Sequence, residues 1–213
     1  GGVNIAGKTL TITNASTTYS GNMTGASGSL TLSGGSLTLS GGNSYTGTTT
    51  VTGGTLTLGA SNVLADTSAL TINGGTLAVG GNSDTVGAVT IGSSGGSITG
   101  SGGTLTGSGY TFNNTTNATI SAILGGSGVN LIQAASGTTT LSGINTYTGS
   151  TTITSGTLAL SGSGSISSSS GVAATGTFDI SGTTSGASIV TLSGAGGVNI
   201  AGKTLTITNA STT

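Results

Sequence analysis

Histidine, cysteine, proline and tryptophan are all missing from this chain of 213 residues, and charge is nearly missing too. There are two lysines, three aspartates, no arginine and no glutamate, for a formal net charge of −1. Each absence removes a class of chemistry. Without thiolate or imidazole, the usual transition-metal sites have no ligands. Without histidine, a Ser-His-Asp or Cys-His nucleophile has no base. Two isolated lysines cannot neutralise a phosphate backbone, so no nucleic-acid partner is expected. Without proline, and without glycine at every third position, collagen is excluded. Neither an enzyme nor a cofactor is expected.

What is present is glycine, 44 residues, together with serine and threonine at more than a third of the chain. Gly/Ser-rich chains are often flexible linkers. Disorder goes with low hydrophobicity and high net charge, whereas this chain is 32% apolar with a mean hydropathy of +0.31. Near-zero charge leaves a globule poorly soluble. An extended assembly that packs against copies of itself tolerates neutrality better.

The apolar residues alternate with polar ones. Thr9-Leu10-Thr11-Ile12-Thr13, Ser29-Leu30-Thr31-Leu32-Ser33, Thr55-Leu56-Thr57-Leu58 and Thr177-Phe178-Asp179-Ile180-Ser181 all do so. Side chains on a strand point to opposite faces in turn, so aliphatics go inside and Thr or Ser outside. Glycine pairs such as Gly34-Gly35, Gly53-Gly54 and Gly74-Gly75 punctuate the strands as turns. No helical periodicity is present, and strong helix formers are scarce.

Two repeats are visible. Gly1 to Thr18 recurs letter for letter as Gly196 to Thr213, an offset of 195 residues. Residues 1–195 therefore read as one unit of a tandem array, and 196–213 as the start of the next. Within the unit, Thr38 to Val51 corresponds to Thr140 to Ile153, which divides it into diverged halves of about 102 and 93 residues. A short strand with one apolar face cannot bury that face alone. Hairpins would pair such strands antiparallel, but only Asn73-Gly74 carries a hairpin signature. Coiling the chain instead stacks each strand on its equivalent one turn later. The expected fold is all-β, a right-handed parallel β-helix (β-solenoid), with an antiparallel sandwich or barrel array as the alternative. At roughly 20–25 residues per turn, a unit would hold about eight to ten turns. It would then advance roughly 40–48 Å.

The stretches Leu39 to Leu58 and Leu141 to Leu160 share the form Leu-Ser-Gly-x-Asn-x-Tyr-Thr-Gly-x-Thr-Thr-[Val/Ile], followed by Gly-Thr-Leu-x-Leu. They closely resemble the autotransporter-associated β-strand repeat, also called the passenger-associated transport repeat. Phe178 to Ile189 looks like the segment that often follows such a repeat. The motif positions here are Leu39, Gly41, Asn43, Tyr45, Gly47, Leu56 and Leu58, and Leu141, Gly143, Asn145, Tyr147, Gly149, Leu158 and Leu160. The resemblance implies a β-helix exported to the surface of a Gram-negative or related bacterium, displayed outward as a rod or assisting folding during export. No stretch reads as a signal peptide or a membrane barrel, and no membrane insertion by this segment is expected.

Other candidate sites have a plain reading. Gly2 to Thr9 and Gly197 to Thr204 match the phosphate-loop pattern G-x-x-x-x-G-K-[ST], but a strand pattern follows where that chemistry needs a helix. Lys8 and Lys203 then read as solvated turn residues. Asp66 and Asp84, 18 apart, could lie on neighbouring turns. No basic residues gather around them, and glycosidase chemistry needs two carboxylates flanking one bond. Asp179 is expected outside. Tyr45 and Tyr147 either stack sugars or anchor a repeated turn, the second being simpler. The Asn114 to Thr119 stretch holds glycosylation-like triplets, read as chance. Outward Thr ladders suggest ice binding, although Thr is also simply a good outward strand residue.

The leading expectation is a structural extracellular protein, a fibre shaft or stalk in surface adhesion or biofilm matrix. Its partners would be copies of itself, head to tail with lateral bundling, and surface glycans or host cells if it is an adhesin. The alternatives are a glycan- or host-binding module, an ice-binding solenoid and an amyloid-like fibre.

Overall fold

The computed structural model describes residues 1–209. Two ten-stranded sheets dominate, each taking its strands in chain order. The first face runs from Thr9–Ile12 through Ser29–Leu32, Thr49–Val51 and so on to Leu192–Ser193. The second runs from Ala15–Tyr19 through Gly35–Leu39 to Gly197–Asn199. Pairing within both is parallel throughout. A third, broken face consists of short pieces such as Asp84–Thr85, Thr104–Thr106 and Ile123–Gly125. The chain is thus a parallel β-solenoid of ten turns, and it contains no helix among the described residues.

Leu10 pairs with Leu30, Leu30 with Thr49 and Thr49 with Leu70, so successive turns take 20, 19 and 21 residues. This is the short end of the expected range. Ten strands at about 4.8 Å give a stack of roughly 43 Å. Asn73-Gly74 makes no hairpin. It turns a corner between Leu70–Ile72 on the first face and Thr76–Gly80 on the second, with Gly74 at φ +107°. The antiparallel alternative fails because each strand's mate is one turn away, not its neighbour in sequence.

Alternation sets inside from outside as expected. Leu32, Val51, Ile72, Ile91 and Phe112 stack in register on the inner side of the first face, and all are buried. Leu37, Leu56, Leu77, Ile98, Ile120 and Leu141 do the same on the second. Full burial of each such side chain is worth about 1.5–3 kcal/mol. One identical sequence, however, takes two settings. Val3–Asn4 pairs with Met23–Thr24 away from both large sheets, whereas Val198-Asn199 extends the second face beside Phe178-Asp179. Leu10 lies on the first face, but its copy Leu205 pairs with Ala187 on the third. Residues 210–213, which complete the duplicated segment, lie outside the described residues.

Candidate functional site

The motif residues of both repeats lie at equivalent places in the solenoid wall. Leu39, Leu56, Leu58, Leu141, Leu158 and Leu160 are core residues. Asn43 and Asn145 are buried and act as clamps between turns. Asn43 Oδ1 accepts from the Met23 N–H at 2.7 Å, and its Nδ2 donates to Gly41 O at 3.0 Å and Val63 O at 2.6 Å. Asn145 repeats this with Leu124 N, Gly143 O and Ser165 O at 2.9, 3.0 and 3.0 Å. One carboxamide therefore joins three successive turns, using both its acceptor and its donors.

Glycine at Gly47 and Gly149 is required by close approach, since neither has positive φ. A Cβ at Gly47 would press on Gly28 O, and one at Gly149 on Val129 O, both backbone atoms of the preceding turn. Gly41 and Gly143 sit equally tight, over Gly21 O and Ala122 O.

Tyr45 and Tyr147 point into the core and have no exposed surface, so neither can stack a sugar. Each phenol starts a buried chain of hydroxyls. Tyr45 Oη lies 2.5 Å from Thr49 Oγ1, which lies 3.2 Å from Ser68 Oγ, which donates to Gly47 O at 2.6 Å. In the second repeat the corresponding distances are 2.7 Å to Thr151, 2.9 Å to Ser169 and 2.9 Å to Gly149 O. A carbonyl only accepts, so the direction is forced: Ser donates to Gly, Thr to Ser and Tyr to Thr. Burial pushes the Tyr45 phenol up to about 12 despite the Thr49 hydrogen bond, and it raises Tyr147 as well. Tyr110, also raised to about 12 by burial, places its ring centroid 6.1 Å from that of Tyr147. Thr49, Thr151, Ser68 and Ser169 did not stand out in the sequence, where every Thr was expected outside. The usable signal is a Thr four residues after Tyr in both repeats.

The acids are dispersed. Asp66 is exposed, while Asp84, on the next turn, is buried. Asp179 lies on the outer side of the second face, half-buried. Partial burial raises its carboxyl, but hydrogen bonds from Ser181 and Asn199 outweigh this and hold it below the usual range. Lys8 is exposed, and Lys203 Nζ reaches Thr184 O at 3.5 Å. A strand, not a helix, follows the first phosphate-loop match, at Thr9–Ile12. Asn114 is buried and bonded to Thr116 O, Thr138 O and Thr139 Oγ1, so it is a structural residue. On the outside of the first face, Thr11, Thr31, Thr50, Thr71, Thr90 and Thr111 form a column in register, which Ile132 ends.

Comparison with known proteins agrees with this duplicated geometry. The family model of the passenger-associated-transport-repeat matches twice, at residues 33–58 and 131–160. No curated protein and no solved structure matches the chain significantly. The two matched stretches contain both Asn clamps and both Tyr-Thr pairs. Two stretches of the chain thus match the passenger-associated-transport-repeat of autotransporter passengers, both within one β-solenoid, and that repeat implies a secreted or surface-exposed protein.

Proposed function

We propose that this chain is a length of structural rod on the outside of a bacterial cell, a shaft or stalk serving surface adhesion or matrix. The observation that carries this reading is the pair of ten-stranded parallel sheets whose order never departs from chain order. Each turn is bound to the turn before and the turn after by backbone ladders and stacked aliphatics. Stability in such a fold is a sum over neighbouring turns, so length can be extended without a new core. Ladder edges at the two ends favour another turn, from the same chain or from another copy. With a net charge of −1, little repulsion opposes side-by-side bundling.

Electron cryomicroscopy of a chain carrying two or three of the 195-residue units tests the proposal. A thin continuous rod whose length grows with unit number supports it. Separate beads on linkers would overturn it.

Ice binding is a second reading, favoured by the six-residue Thr column on the first face. Its hydroxyls repeat at about the 4.8 Å strand spacing. Ice recrystallisation in the presence of the folded unit decides it, and growth at the rate of buffer alone would eliminate it.

A further inference from the structure

Asp84 occupies a position that asparagine fills elsewhere. Asn43 and Asn145 each take an N–H from the preceding turn, from Met23 and Leu124. Asp84 does the same, with Oδ2 accepting from Val63 N at 2.9 Å and Leu64 N at 3.1 Å. The difference lies at the other end of the side chain. In both asparagines that atom is an NH2 that donates to two carbonyls. In Asp84 it is Oδ1, which is buried and has no hydrogen-bond partner. An ionised carboxylate can only accept, so it offers nothing where the fold elsewhere requires a donor, and an unpaired buried oxygen is costly.

We propose that Asp84 is a proton-binding site of the solenoid: the neutral acid, with its proton on Oδ1, stands where Asn43 and Asn145 carry an uncharged donor group, so proton uptake removes an unpaired buried charge and stabilises these turns, and proton loss loosens them. Burial pushes this carboxyl above its ordinary value, against the backbone N–H groups of Leu64, Val63 and Thr85, and the charge of Asp66 pushes the same way. Among the described residues the other titratable group that feels its charge is the Tyr45 phenol, itself raised to about 12. No lysine shares this turn, since Lys8 and Lys203 lie near the two ends of the chain. Because the folded value exceeds the unfolded one, the stabilisation is complete below the ordinary value of 3.8 and is lost as pH rises through the folded value. Across that window the folding equilibrium constant falls by up to about tenfold per pH unit, then levels off.

The test compares the chain with its Asp84→Asn variant in thermal unfolding from pH 3 to pH 8. The parent should lose thermal stability as pH rises. The variant should be flat above about pH 5, lose stability below it as the depressed Asp179 carboxyl takes up its proton, and be more stable than the parent at pH 8. Asp66→Asn and Asp179→Asn should leave the parent's downward trend in place. A curve that is flat or rises with pH once Asp179 is replaced by Asn, or an Asp84→Asn variant no more stable than the parent at pH 8, would overturn the proposal. If the variant does not fold, the 13C carboxyl titration of Asp84 in the parent decides: a midpoint above 3.8 supports the proposal, and one at or below it refutes it.

Discussion

The turns around Tyr45 and Tyr147 are two solutions to one packing problem, 102 residues apart. Both use a buried Tyr, a Thr four residues on and a Ser on the next turn, ending on a glycine carbonyl. Their surroundings differ. Tyr147 has the Tyr110 ring against it and tighter Thr–Ser spacing, 2.9 Å against 3.2 Å. Tyr45 has no such partner ring among the described residues. The retained hydroxyl chain is thus the shared requirement of the turn, because a phenol driven into a core must still place its proton. The aromatic neighbour is an addition local to the second repeat.

The comparison breaks most visibly if the rings are removed. Tyr147→Ala is expected to lose about 3–5 kcal/mol in guanidinium unfolding. Tyr45→Ala should lose less, by about the 0.5–1.5 kcal/mol of an aromatic pair. Equal losses would mean that the Tyr110 contact adds nothing. Gly47→Ala and Gly149→Ala should each lose about 1–3 kcal/mol, since a backbone carbonyl of the preceding turn must shift. Tyr45→Phe and Tyr147→Phe should cost similar amounts, about 1–3 kcal/mol each, because each leaves a buried Thr oxygen without its donor. A large disparity would show that the hydroxyl chains are not equivalent. The smallest effect is that of mild alkali. The three buried phenols have folded values above the ordinary 10, so their stabilisation is complete below pH 10 and declines as pH rises toward 12. At pH 10.5 this is under about 1 kcal/mol per ring, and tyrosinate absorbance should show Tyr45, Tyr110 and Tyr147 still protonated.

The repeating parts of the fold were legible because alternation with period two settles which side chains are buried. Leu30, Leu32, Leu56 and Leu58 could be placed inside without any knowledge of the sheet they join. Which face a strand joins was not legible. The same letters pair beside Met23 at one end and beside Phe178 at the other, so the adjoining turn selects the face, not the segment's own pattern. The site was half legible. The motif pointed to Asn43, Tyr45, Asn145 and Tyr147, but it did not reveal that both tyrosines face inward. Thr49 and Thr151 were hidden because Thr is the ordinary outward residue of these strands. Asp84 was hidden because its likeness to the two asparagines is one of place in the stack, not of sequence.

Distances along the stack test the solenoid most directly, and a chain without cysteine suits paired spin labels. With one label at Thr31→Cys and the second at Thr111→Cys, Thr152→Cys or Ser193→Cys, the pairs lie four, six and eight strands apart on the first face. Pulsed dipolar spectroscopy should give roughly 19, 29 and 38 Å between the backbone positions, rising by about 4.8 Å per strand. Separations that level off, or that do not follow the order of the turns, would contradict a single continuous coil.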